Sequence, residues 1–156
     1  MLETTLCYLQ ESDRVLMLHR VRKEHDVNEG KWIGIGGKLE PGENPQQCML
    51  REFREETGLT LTRWQYRGIV NFQSEDWVER MYLFTADACE GQITGNCAEG
   101  DLCWIERDRL MDLSLWEGDR VFLSLLERDE PLFLLDLQYS GEHLIRAVLN
   151  GRELPL

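Results

Sequence analysis

The sequence predicts an α/β fold, a mixed central sheet with helices on its faces. Three observations carry that expectation. Apolar runs bounded by turn residues recur along the chain, as strands do. Between them lie two segments with apolar residues three and four apart and capping residues at their starts, as helices have. No repeat, low-complexity tract or linker divides the 156 residues, so one domain over 1–156 is expected.

Thr4–Leu9 and Val15–His19 read as strands around a turn at 11–14. A polar loop follows over 21–30, then a glycine-broken apolar run over 31–37 and a turn over 38–43. Asn44 suits an N-cap, Pro45 the first helical position, and Gln47 the return bond of a capping box. A helix is therefore expected over Pro45–Thr57, ended by Gly58 in a left-handed conformation, with Leu50, Phe53 and Thr57 on its packed face. Two longer strands are expected over 59–71 and 78–87, joined by a loop at 72–77, and a short one over 102–105. Ser114 and Glu117 form a second capping-box pattern, which predicts a helix over 115–126 packed through Leu115, Phe122, Leu125 and Leu126. A terminal hairpin is expected over 131–149, turning at 139–142.

Seventeen Lys and Arg stand against 29 Asp and Glu, a net charge of -12. That balance disfavours a nucleic-acid polymer as partner, since polymer backbones call for Lys and Arg. No apolar stretch is long enough to cross a membrane, and the N-terminus lacks a signal-peptide pattern, so a cytoplasmic setting is expected. Cys7, Cys48, Cys89, Cys97 and Cys103 include no C-x-x-C pair and read as reduced, buried apolar residues. His19, His25 and His143 are scattered without a zinc-binding pattern.

The chemistry concentrates in Arg51-Glu-Phe-Arg-Glu-Glu56. A helix sets Glu52, Glu55 and Glu56 on one side, at i, i+3 and i+4. Like charges so placed destabilise a helix unless something offsets them. A solvated acidic face is the bland explanation, with Arg51 and Arg54 softening the repulsion. Hard oxygen donors on a rigid element also suit Mg²⁺ or Mn²⁺. Gly36-Gly37 ahead of the helix favours the second explanation, because adjacent glycines let main chain approach a ligand closely.

Gly37, Glu43 and Arg51-Glu-Phe-Arg-Glu-Glu-Thr-Gly-Leu59, at their spacings, resemble the complete signature of the Nudix hydrolases. The resemblance implies the Nudix α/β/α sandwich and metal-dependent hydrolysis of a nucleoside diphosphate linked to another group. It implies that Glu52, Glu55 and Glu56 bind metal, with Gly36 and Gly37 contributing main-chain ligands. Glu43 and Arg51 match a pair that braces the loop on the helix. Around the signature, the chain resembles the MutT-type oxidised-purine triphosphatases, from Thr5 to about Leu126. That likeness implies nucleoside triphosphate cleaved to monophosphate and pyrophosphate, as in nucleotide-pool sanitation. Glu99 resembles an extra carboxylate outside the helix, a metal ligand or water-orienting group. Glu55, Glu56 and Glu99 all stand as candidate bases.

Thr5, Ile33, Ile35, Lys38, Trp116 and Asp119 match pocket-lining positions of that branch, and Arg20 a basic residue near its nucleotide. With Gly36 and Gly37 they form the expected substrate site. Trp116 offers a face for stacking a purine or an anchor for the second helix. Asp119 offers a partner to a base edge or a charge at a helix start. Two residues depart from the pattern: Ile33 replaces a base-reading asparagine, and Gly118 the first of two adjacent aspartates. Oxidised guanine, another purine or a wider triphosphate range therefore stay open. Other nucleoside diphosphate derivatives and a non-catalytic nucleotide-binding regulator are the rival functions. Monomer and homodimer are equally compatible with the sequence.

Overall fold

A computed structural model describes residues 1–21, 28–94 and 100–156. The expected α/β architecture is present. The strands are β1 (Leu2–Glu11), β2 (Arg14–His19), β3 (Trp32–Ile33), β4 (Ile35–Lys38), β5 (Thr60–Gln73), β6 (Val78–Glu90), β7 (Asp101–Glu106), β8 (Phe133–Ser140), β9 (His143–Leu149) and β10 (Arg152–Glu153). The helices are α1 (Pro45–Thr57) and α2 (Glu117–Glu127), with a 3-10 turn at Arg107–Asp112.

The sheet runs β10-β9-β8-β5-β6-β1-β2-β3, with β4 on β1 and β7 on β2. It is mixed: β1 lies parallel to β6 and β5 parallel to β8, while the other pairs are antiparallel. Strand side chains alternate between faces, and β1 shows the division. Cys7 and Leu9 join the core around Met49 and Phe53 of α1. Leu6 and Tyr8 join the core around Phe122 and Leu125 of α2. One helix thus covers each face of the sheet.

Helix α1 forms where its local signals place it. The Asn44 side chain accepts the Gln47 N–H at 2.8 Å, and the Gln47 side chain accepts the Asn44 N–H at 3.0 Å. Gly58 closes it at φ 84°, and its N–H donates to the Arg54 carbonyl. Asn44→Ala is expected to cost about 1 kcal/mol, read as a lower thermal midpoint with turnover retained. Phe53 and Thr57 are buried as expected, with Cys48 beside them, but Met49 is buried where Leu50 was expected and Leu50 is half-buried. Positions 49, 53 and 57 make the i, i+4 stripe that meets the sheet.

Helix α2 begins two residues later than expected, and Ser114 does not cap it. Trp116 occupies the N-cap position with extended backbone and no side-chain bond. The Ser114 carbonyl instead accepts the Trp32 N–H at 2.9 Å, tying this stretch to β3. The Glu117 carboxylate accepts the Leu144 N–H at 3.1 Å. Leu115 is buried ahead of the helix, and Leu123 joins its packing face. Phe72 belongs to β5, so the following loop spans only 74–77. Tyr139 belongs to β8 and is buried, leaving the hairpin turn at 141–142. No helix is long and apolar enough to cross a membrane among the described residues. Cys7 and Cys48 are buried free thiols as expected, whereas the free thiols Cys89 and Cys103 are half-buried and exposed, and Cys97 and His25 lie outside the described residues.

Candidate active site

The acidic side of α1 faces the main chain of β4. Gly37 pairs with Thr5 across the β1–β4 ladder, and Gly36 with Leu6. A Cβ on Gly37 would lie 2.6 Å from both Glu52 carboxylate oxygens. A Cβ on Gly36 would run into the Thr5 carbonyl. Glycine is therefore demanded twice, once by a carboxylate and once by a neighbouring strand.

Arg51 organises the charges around this contact. Its Nε donates to Glu43 at 2.7 Å and a terminal nitrogen to the same carboxylate at 2.9 Å, a bidentate pair. The other terminal nitrogen donates to Glu52 at 2.9 Å and Glu55 at 3.1 Å. One guanidinium thus braces the loop, as expected of the pair, and offsets repulsion along the helix. Hydrogen bonding from Arg51 pulls the Glu43 carboxyl down to about 2 from an ordinary 4.5. A lowered acid stabilises the folded state above its unfolded pKa and loses that contribution as pH falls. The Glu43 contribution should be whole above pH 4.5 and vanish toward pH 2. Arg51→Met should shift acid unfolding to higher pH, as followed by circular dichroism.

A cavity of about 590 Å³ opens beside this face. Among the expected residues, it brings together Thr5, Arg20, Ile33, Gly36, Gly37, Lys38, Glu52, Glu56, Trp116 and Asp119. Ile35 does not line it. Paired with Cys7, Ile35 points into the α1 core and is 1% exposed. Glu55 is exposed and held by Arg51, outside the lining. Glu99 lies outside the described residues.

Trp116 lines the cavity and also packs against the core on the α2 side. It is half-buried, its indole N–H donates to the Asn28 side chain at 2.8 Å, and the Lys31 ammonium sits 5.2 Å from its ring centroid. Asp119 is 6% exposed. Burial, reinforced by the Glu79 charge and opposed by Lys31, pushes its carboxyl up to about 7 from 3.8. A raised acid penalises the folded state as pH climbs between those values. Asp119→Asn should flatten the decline in thermal midpoint between pH 3.8 and pH 7.

Gly118 has a steric reason. Its N–H donates to the Tyr139 hydroxyl at 2.7 Å, and a Cβ there would meet that oxygen at 2.5 Å and Leu137 at 2.7 Å. The tyrosine fills the space an acidic side chain at 118 would need. Tyr139 and Glu79 are cavity residues that sequence reasoning missed. Strand pairing brings them in from far along the chain, and no local spacing marks them. Phe72 and Trp77 also line the cavity.

The donor chemistry suits a hard divalent cation, since Glu52, Glu56 and the Gly36–Gly37 main chain line one wall and offer oxygen. No group of three or more His, Cys, Asp or Glu able to hold a metal ion is found among the described residues. Two carboxylates with main-chain oxygens suit a divalent cation that fills the rest of its shell with water and substrate oxygens.

The chain is similar to known proteins over most of its length. The family described as "NUDIX domain" matches residues 2–126. YvcI of Bacillus subtilis, described as an uncharacterised Nudix hydrolase, is 32% identical, covering 88% of this chain and 87% of its own. The oxidised purine nucleoside triphosphate hydrolase of Danio rerio is 30% identical, covering 90% and 88%. The crystal structure of a MutT protein from Bacillus halodurans superposes with a TM-score of 0.87 at 26% identity, covering 96% and 98%. Membership of this family brings pyrophosphohydrolase activity on a nucleotide substrate and, in general, dependence on a divalent metal. With 125 consecutive residues matched and the fold in agreement, the chain belongs to the Nudix hydrolase family.

Proposed function

We propose that the protein hydrolyses purine nucleoside triphosphates, oxidised ones among them, to nucleoside monophosphate and pyrophosphate, cleansing the cytoplasmic nucleotide pool. The observation that carries this reading is the layout of the cavity. Glu52, Glu56, Gly36 and Gly37 stand on its lining together with Trp116, Asp119 and Tyr139. The first group suits a metal-bound phosphate chain, and the second suits a flat base with polar edges. The likeness to the MutT-type branch, including the Danio rerio relative, supports the same substrate class.

In this reading the carboxylates of Glu52 and Glu56, with the Gly36–Gly37 main chain, hold Mg²⁺, for which Mn²⁺ is a substitute. The ion, when bound, supplies charge neutralisation and a water of lowered pKa. Lys38 and Arg20 line the cavity and offset phosphate charge that the protein's net acidity would otherwise repel. Thr5 and Ile33 hem the nucleotide, and Trp116 presents its indole to the base. Asp119 reads the base edge. Glu56, Glu55 and Glu99 are the acceptors available to the water's proton, and positioning of phosphorus against water supplies much of the rate.

The test is one panel with Mg²⁺: normal and oxidised purine triphosphates, nucleotide sugars, dinucleoside polyphosphates and dihydroneopterin triphosphate. Pyrophosphate and orthophosphate are measured separately. The expected result is pyrophosphate release from purine triphosphates above all. Preferential turnover of any other class, or orthophosphate as the first product, would overturn the reading.

A further inference from the structure

Glu79 has no part in the reaction described so far, yet it lines the candidate cavity. It stands near the start of β6, paired with Leu2 of β1, and is half-buried. One of its carboxylate oxygens accepts the Thr4 hydroxyl at 2.6 Å. The other has no hydrogen-bond donor among the described residues. Lys38 is near enough to feel its charge. Burial raises the Glu79 carboxyl, and its charge in turn adds to the rise at Asp119. Two carboxylates of one cavity therefore sense each other, far apart in sequence.

The Tyr139 hydroxyl is a further polar group of this lining. Its oxygen accepts the Gly118 N–H, and its own proton has no acceptor among the described residues. A carboxyl group offers an accepting oxygen in either protonation state, and a phenol donates its own proton. Beside Trp116, whose ring meets that of Tyr139 edge-on at 5.9 Å, this corner of the cavity offers accepting oxygens at Glu79 and Asp119 and a donor at Tyr139. Its complement is a base edge with two N–H donors and a carbonyl. A purine with a protonated N1, a 2-amino group and a 6-oxo group has that edge. A 6-aminopurine has an acceptor at N1, and a 6-oxopurine without the 2-amino group lacks one donor.

We propose that Glu79 is a specificity-determining residue, which accepts a hydrogen bond from the 2-amino group of a 2-amino-6-oxopurine while Asp119 accepts from its N1–H. This deepens the purine triphosphate reading and rests on it for the ligand. Tyr139 donates to the 6-oxo group in the same arrangement.

The test is calorimetric binding of two monophosphates to the full chain, 2′-deoxyguanosine and 2′-deoxyinosine 5′-monophosphate. They differ only in the 2-amino group, and binding needs no turnover. Wild type is expected to prefer the guanine nucleotide about tenfold or more, the scale of a hydrogen bond to a charged group. Glu79→Met should bring the ratio to within about twofold, with the loss of affinity falling mainly on the guanine nucleotide. Glu79→Gln, which keeps shape and one accepting oxygen, should reduce the ratio if the Met variant misfolds. An unchanged ratio in a folded variant, or equal weakening of both nucleotides, overturns the proposal. Binding of neither nucleotide by wild type overturns it together with the purine reading, whereas binding of both without preference overturns it alone.

Discussion

Glu56→Gln is expected to lower turnover about a hundredfold or more, the scale of one lost charge-stabilising or proton-accepting group. The side chain lines the cavity beside Glu52 and the glycine main chain. Glutamine keeps the shape and helix propensity, so the thermal midpoint should hold within a few degrees. Added Mg²⁺ should recover little, because the missing group is an anionic oxygen rather than affinity alone. Steady-state pyrophosphate release over a magnesium titration is the measurement. Full activity at saturating Mg²⁺ would falsify the role given to Glu56.

Gly36→Ala and Gly37→Ala should part company, although the glycines are adjacent. At 36 the added methyl meets the Thr5 carbonyl, which belongs to the β1 backbone. The ladder pairs Thr5 with Gly37 and Leu6 with Gly36, so the strand cannot yield without breaking register. A loss of about 3 kcal/mol or more is expected, seen as a collapsed thermal midpoint or absence of folded protein. At 37 the methyl meets the Glu52 carboxylate, the far end of a flexible side chain. That carboxylate can rotate away, abandoning its 2.9 Å bond to Arg51. The fold should survive at about 1 kcal/mol, one hydrogen bond's worth, while turnover falls about a hundredfold. Melting curves and turnover on both variants decide the matter. Equal loss of stability in the two would show that Glu52 is as fixed as backbone.

Helix α1 was legible because its instructions are local. Asn44, Pro45, Gln47 and Gly58 act within one turn of where they stand, and the structure uses each of them. Helix α2 was misread at its start because the same local signal met a tertiary competitor. Ser114 has the right partner three residues on, but its carbonyl is claimed by Trp32 of β3. The signature marked Glu52, Glu56, Gly36 and Gly37, all of which line one cavity. Ile35 went astray because Gly34 interrupts the run and Ile35 joins the Cys7 face of the ladder. Glu79 and Tyr139 were beyond reach, since each faces the cavity only after β6 has paired with β1 and β8 with β5.

The hydrogen bond from Gly118 to Tyr139 couples two properties usually sought separately. Helix α2 starts without a side-chain cap, and this phenol serves one of its otherwise unpaired amides. The same oxygen borders the space where a base would sit. Selection for heat resistance and selection for altered substrate range would therefore converge on one side chain. A library screened only for thermal tolerance should be poor in changes at 139, and one screened for new substrates should return its hits there already weakened.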